Sequence, residues 1–231
     1  MILVVGGGPA GLAAAAALGR RGLRAVVPEQ AGTVGAAWRG RYDRLRLNTS
    51  RLTSRLPGLR YPPGTGLFPT RDEFVAYLER YVDRHGIDLR QGVRVARIDR
   101  DGRGWRLQTS AGALRAEQVV VATGYERQPF IPPWPGRDRF AGQLLHAADY
   151  RNPVPFRGAD VLVVGSGCSG MEIAYDLAEG GAGSVKLSVR TPPSIVLRSW
   201  AGCRATSPPC CCRGCRPASG TVRYASCSDS S

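Results

Sequence analysis

The stretch Ile2-Leu3-Val4-Val5-Gly6-Gly7-Gly8-Pro9-Ala10-Gly11 decides the fold, and Asp160-Val161-Leu162-Val163-Val164-Gly165-Ser166-Gly167-Cys168-Ser169-Gly170 repeats it. In the first copy an apolar run enters a glycine turn, an alanine-rich run continues to Arg21, and Gly22 closes it. That order reads as strand, turn and helix. Leu23 to Val27 supplies a second strand that ends at Glu29, which completes a βαβ unit. Gly6, Gly8 and Gly11 fit G-x-G-x-x-G at the strand–helix junction, with Pro9 and Ala10 inside the same loop. The first glycine permits the tight turn, the second lets backbone approach a pyrophosphate, and the third lets helix pack closely on strand. The phosphates then sit at the positive helix end. Glu29 is placed to accept from a ribose hydroxyl. A glycine run alone is a weak signal, but strand, helix and acid together predict dinucleotide binding.

In the second copy Asp160–Val164 is the strand, Met171–Glu179 the helix, Gly180-Gly181 its end, and Val185–Val189 the next strand. Gly165, Gly167 and Gly170 repeat the spacing, with Ser166 and Ser169 between them. The second strand runs out into Arg190 where the first copy has an acid. Arginine suits the 2′-phosphate of NADPH, whereas a carboxylate repels it. The plainer alternative is one more surface arginine in an arginine-rich chain. An acid in one unit and an arginine in the other suggest FAD in the first site and NADPH in the second. The cofactors then carry the difficult chemistry and the protein positions them.

Between the copies, residues 30–69 are rich in Gly, Pro and Arg and read as connecting segments. Thr70-Arg71-Asp72-Glu73 has the form of a capping box. Phe74, Tyr77, Leu78 and Tyr81 follow at helical spacing, with Gly86 after the last turn. From Val93 to Val121, short alternating segments broken by Asp101-Gly102 and Ser110-Ala111-Gly112 predict a small antiparallel meander. Its last segment runs into Ala122-Thr123-Gly124, and a proline-rich stretch, Pro129 to Pro135, leads to the second copy. The fold class is therefore α/β: two Rossmann-like dinucleotide-binding domains with parallel sheets, a small antiparallel meander, and a truncated second domain. The expected limits are 1–152 for the FAD-binding domain, 153–200 for a partial NADPH-binding domain, and 201–231 for a Cys/Arg/Ser-rich disordered tail. Residues 203–231 have no apolar period, and nothing there is expected to pack against a sheet.

Composition excludes several classes. The formal charge is +14, but Lys186 is the single lysine and the arginines are scattered along all 231 residues. A nucleic-acid surface clusters its charge with aromatics, so no such partner is expected. No apolar run approaches the ~18 residues of a membrane span. Met1 leads straight into the first strand with no charged n-region, so the expected address is cytoplasmic. None of the seven cysteines precedes Cys168, and six fall between Cys203 and Cys227. A flavin disulfide reductase needs a cysteine pair beside the flavin, and Cys212-x-x-Cys215 lies in the tail with no βα junction around it. With two histidines and no second spaced cysteine pair, no metal site is expected.

The segment before the second glycine turn narrows the choice. Phe140-x-Gly142-x-x-x-His146-x-x-x-Tyr150 matches the identifying motif of the flavin-containing monooxygenase family, which runs F-x-G-x-x-x-H-x-x-x-(Y/F). The related type I Baeyer–Villiger enzymes carry Trp at the last motif position, so Tyr150 favours the flavin-containing branch. Trp38…Tyr42-Asp43-Arg44-Leu45 and Leu145-His146-Ala147-Ala148-Asp149-Tyr150 resemble the plant auxin-forming, YUCCA-type members. The resemblance covers about residues 1–200.

It implies that NADPH reduces FAD, that O₂ adds at the flavin C4a, and that the hydroperoxide oxygenates a small N-, S- or keto-bearing substrate. Bound NADP⁺ shields the intermediate from water. Asn48 in Leu47-Asn48-Thr49-Ser50 matches the family asparagine beside the flavin, where an amide donates without supplying an acidic proton. Read without the family, Asn48 is a turn residue. Ala122, Thr123, Gly124, Val95 and Trp38 are expected beside the cofactor, although a buried tryptophan needs no cofactor to explain it. Phe140, Gly142, His146 and Tyr150 take a structural role, with no proton transfer at His146.

Two departures stand out. Cys168 replaces the asparagine of many members, and the family match gives way abruptly to Cys, Ser and Pro. The tail from about Ser199 is therefore expected to come from a frameshift or gene fragment. The alternatives are a truncated, inactive chain that at most binds FAD and, third, a flavin disulfide reductase.

Overall fold

Alternating strands and helices dominate the computed structural model, which describes residues 1–126 and 128–191 and the backbone of short strands at 199–200, 203–204 and 225–226. The chain divides into two compact units, residues 1–41 with 50–131 and residues 42–49 with 132–231. No helix among the described residues is long and apolar enough to cross a membrane.

The first unit is built on β1 (Ile2–Val5), α1 (Pro9–Gly19) and β2 (Ala25–Pro28). Strand β1 is buried along its whole length. Leu3 and Val5 face one core cluster and Val4 faces the other, the alternation of a strand covered on both sides. Helix α1 begins with proline at its first turn, where no N–H is needed. Its Leu12, Ala15 and Ala16 are buried, and small side chains let it lie close to the sheet.

A short helix α2 (Ala36–Arg39) interrupts the segment read as connection. Helix α3 (Arg71–His85) starts on the expected capping box: the Thr70 hydroxyl accepts from Glu73 N, and the Glu73 carboxylate accepts from Thr70 N. Gly86, in the left-handed region, ends it as expected. Phe74, Tyr77 and Tyr81 are buried on one face. The two tyrosine hydroxyls fasten the preceding loop: Tyr77 donates to Leu59 O at 3.0 Å and Tyr81 to Pro57 O at 2.8 Å.

After β3 (Asp88–Arg90), strands β4 (Val95–Asp101), β5 (Gly104–Thr109) and β6 (Gly112–Ala116) form the antiparallel meander. The expectation of a meander reaching Val121 needs correction. β7 (Gln118–Val121) leaves it and pairs in parallel with β1, from Ile2↔Gln118 to Val5↔Val121. Four consecutive residues are too few to reveal by periodicity which sheet they join. The main sheet is parallel throughout, in the order β3-β2-β1-β7. The meander closes one of its faces by packing Leu107 and Ala116 against Leu3, Val5 and Val26.

In the second unit β8 (Asp160–Val164) and β9 (Ser184–Val189) pair in parallel, and α4 (Cys168–Glu179) connects them. Ile173 and Leu177 of α4 pack on Val161 and Val163. The other face of β8 carries Leu162 and Val164, which are 61% and 70% exposed. The tail also departs from expectation at one point: Ala225–Ser226 pairs in parallel with β9. Strand pairing uses backbone groups and does not need the apolar period that this segment lacks. The Cys212-x-x-Cys215 spacing and the rest of the tail lie outside the described residues.

Candidate functional site

The two glycine turns share their backbone path and differ in what an added Cβ would meet at the first glycine, which is Ala122 at Gly6 and nothing within 4 Å at Gly165. At the first, Gly6 has φ of 107° and its N–H donates to Pro28 O at 3.0 Å, which ties the turn to the end of β2. A Cβ on Gly6 would lie 2.6 Å from Ala122 O, and one on Gly11 would lie 1.9 Å from Gly6 O. Both are backbone clashes, so only glycine fits. Around Gly8, by contrast, a Cβ would meet nothing within 4 Å. The expected division of labour is therefore present: two glycines pack, and the middle one faces open space where a pyrophosphate can approach.

At the second turn Gly165 has φ of 99° and donates to Ser188 O at 2.9 Å. A Cβ on Gly170 would lie 2.1 Å from Gly165 O, while one on Gly167 meets nothing within 4 Å. Neither α1 nor α4 receives a side-chain cap at its N-terminus. The leading N–H groups of both helices are thus left without a side-chain cap, which suits the oxygens of a pyrophosphate.

Glu29 is engaged in a way the sequence did not announce. Its Oε2 accepts from Gly7 N at 2.6 Å and its Oε1 from Ala31 N at 2.9 Å. The carboxylate braces the glycine turn, and each oxygen keeps a second lone pair for a ribose hydroxyl. Ala122, Thr123 and Gly124 follow β7 directly, and Ala122 N donates to Val5 O at 2.8 Å. Ala122 and Thr123 therefore lie against Gly6 of the first glycine turn. Pro9 and Ala10 occupy the first turn of α1, and Ser166 and Ser169 occupy the second loop and the start of α4.

The register refines the comparison between the two copies. Pro28 and Ser188 hold the same place, because each receives the first turn glycine. Val189, which is buried, thus corresponds to Glu29, and Arg190 stands one residue further out and exposed. The arginine occupies the rim beyond the strand, and the acid's own place is filled by an apolar side chain.

The remaining expected residues scatter. Val95 packs its side chain against the core cluster around Leu3 and Leu107. Trp38 is half-buried, edge-on to Phe74 at 4.7 Å. Asn48 is exposed and belongs to the second unit. Within the identifying motif the roles separate. Phe140 lies over Gly142, where an added Cβ would come 2.5 Å from its ring. His146 Nδ1 accepts from Ala148 N at 3.0 Å, a turn contact. Tyr150 is 3% exposed, and its hydroxyl donates to Asp176 Oδ2 at 2.8 Å. Burial, then the adjacent Asp176, pushes the Tyr150 phenol well above its ordinary range, so it remains a donor.

A second tyrosine does the same on the same helix. Tyr42 OH donates to Glu172 Oε2 at 2.7 Å. Residues 172 and 176 are one helical turn apart, so both acids face the same way. That spacing was the available signal, and only a fold placing residues 42 and 150 beside α4 gives it meaning.

A family model described as pyridine nucleotide-disulphide oxidoreductase matches residues 3–200. The chain belongs to that family. Its relatives include monooxygenases and a disulfide reductase. The chain is 40% identical over 201 residues to the indole-3-pyruvate monooxygenase YUCCA1 of Oryza sativa subsp. japonica, covering 85% of this chain and 47% of the relative. A flavin monooxygenase from Stenotrophomonas maltophilia superposes with a TM-score of 0.80 at 31% identity, over 86% of this chain and 60% of that one. The bacillithiol disulfide reductase of Bacillus cereus superposes at 0.75 with 26% identity, over 85% and 61%. The chain spans about half the length of the curated relatives it matches.

Proposed function

We propose that this chain forms the FAD site and the opening of the NADPH site of a monooxygenase acting on a small nitrogen, sulfur or keto compound. The observation that carries the reading is the paired glycine turn: two open middle glycines, each followed three residues later by a glycine packed on the turn's own carbonyl, each at an uncapped helix N-terminus. Gly6, Gly8, Pro9, Ala10 and Gly11 hold the FAD pyrophosphate, with Glu29 on the ribose and Ala122-Thr123-Gly124 alongside. Gly165, Ser166, Gly167, Ser169 and Gly170 hold the second pyrophosphate, and Arg190 takes the 2′-phosphate. Bound at these residues, FAD and NADPH would supply the electrons and the oxygen activation that a monooxygenation needs. Asn48 donates an amide N–H near the reacting oxygen without offering an acidic proton.

The choice against disulfide reduction rests on the residues of the chain itself. No cysteine precedes Cys168, so the first glycine turn has no dithiol partner in its unit. Phe140, Gly142, His146 and Tyr150 complete the monooxygenase motif. The likeness to a disulfide reductase shows that the same frame serves both chemistries.

A second reading, nucleotide binding without turnover, is favoured by the bare apolar face at Leu162 and Val164. One experiment separates the readings. The purified chain, supplied with FAD and NADPH, is given isotope-labelled O₂ and a panel of small amines, thioethers and 2-keto acids. Label in a product supports the monooxygenase. NADPH-dependent disulfide reduction, or flavin binding with no NADPH oxidation, overturns it.

A further inference from the structure

The eight residues Tyr42–Thr49 are bracketed by residues of the first unit, yet they belong to the second. No helix or strand falls within them. Several of their contacts within the second unit run to α4 and to residues 151–152. Tyr42 OH donates to Glu172, and Tyr42 and Leu45 pack in the cluster that contains Ile173 and Leu177. Asp43 N donates to Arg151 O at 2.8 Å, and Asn152 Nδ2 donates to Asp43 Oδ2 at 3.0 Å. The Arg44 guanidinium stands 3.6 Å from Asp176 Oδ1 and lies over the Tyr175 ring at 4.5 Å.

Asp176 is thus shared. One carboxylate oxygen receives the motif's Tyr150 and the other faces Arg44. A carboxylate only 6% exposed needs such partners, and a buried network whose members are all satisfied fixes a single arrangement. Helix α4 begins at the second glycine turn, so the segment hangs from the element that opens the proposed NADPH site.

We propose that Glu172 and Asp176 are positioning residues, which hold the Tyr42–Thr49 segment, and with it Asn48, on α4. The importance of Asn48 rests on the monooxygenase reading; the holding of the segment does not. The two carboxylates act through Tyr42, Arg44 and Tyr150, and a nucleotide seated at the start of α4 shares one frame with Asn48.

Amide hydrogen exchange on the full chain tests this without any turnover. Tyr42→Phe removes the donor to Glu172, whereas Glu172→Gln keeps an acceptor for it. Amides of residues 43–48 should exchange about 10-fold faster in Tyr42→Phe, equivalent to ~1.4 kcal/mol of local opening. Amides of β8 and β9 should stay protected, and Glu172→Gln should retain most of the protection at 43–48. Arg44→Met, at the solvent edge of Asp176, should give the same local loosening. Unchanged exchange at 43–48 in both Tyr42→Phe and Arg44→Met overturns the proposal, as does a loss spread evenly over the second unit. A chain that loosens as expected but oxidises no NADPH leaves this inference standing and removes the monooxygenase reading. In an active chain, Tyr42→Phe should lower product formed per NADPH consumed while KM for NADPH holds.

Discussion

Single residues separate packing from binding most cleanly at the glycines. Gly8 and Gly167 have extended backbone, with φ of −75° and −68°, and nothing within reach of an added Cβ. Gly8→Ala should therefore change stability by no more than about 0.5 kcal/mol. It should also cut FAD affinity at least ~10-fold, because the methyl group takes the place of the pyrophosphate. Thermal melts and a fluorescence titration with FAD check the two halves separately. Gly11→Ala is the converse case. Its Cβ meets the Gly6 carbonyl 1.9 Å away, so the helix must shift off the strand, at a cost of several kcal/mol and with loss of soluble folded chain. Glu29→Gln leaves one acceptor for the two N–H groups of Gly7 and Ala31. A stability loss of about 1–3 kcal/mol should appear in denaturant unfolding even without nucleotide. The glycines were legible because their reason is local: strand, turn and helix follow in order within ten residues. The bracing by Glu29 was not, because a carboxylate that accepts from its own loop reads in sequence like one waiting for a ribose.

Among the elements, α3 and α4 show how far periodicity reaches. The capping box and the Phe74, Tyr77, Leu78, Tyr81 spacing are enough to define α3 in the sequence, since both signals lie within a few turns. What α3 packs against was hidden, because Tyr77 and Tyr81 donate to carbonyls of the 56–59 loop about twenty residues earlier. At its end, burial and then the nearby Arg20 and Arg84 lower the His85 pKa from 6.5, and Nε2 has no hydrogen-bond partner among the described residues. The folded chain thus disfavours the charged imidazole. Stability is full above pH 6.5 and falls as the pH drops through that value toward the lowered one. Melting temperatures between pH 5 and 8 should show that acid-side loss, and His85→Leu should flatten it. On α4, Tyr150→Phe strips a partner from the buried Asp176 and should cost about 1–3 kcal/mol, measured by urea unfolding. The fate of β7 belongs to this scale too. Gln118-Val119-Val120-Val121 is plainly a strand, but its partner is β1 at the other end of the unit, and nothing in four residues says so.

At the scale of the whole molecule, two copies of one turn geometry on two parallel βαβ units account for the family membership and the likeness to flavin monooxygenases. That repetition was visible in the sequence because each copy carries its own complete local signal. The segment 42–49 was not, since its eight residues follow the first unit in sequence and the second in contacts. This chain spans about half the length of its curated relatives. The most direct test of the account is a titration of the purified full chain with FAD, followed by fluorescence and by equilibrium dialysis. The account predicts saturation at one FAD per chain, weakened at least ~10-fold in Gly8→Ala and retained in Gly167→Ala, whose turn is proposed for NADPH. Absence of binding, or equal binding in wild type and Gly8→Ala, would contradict it.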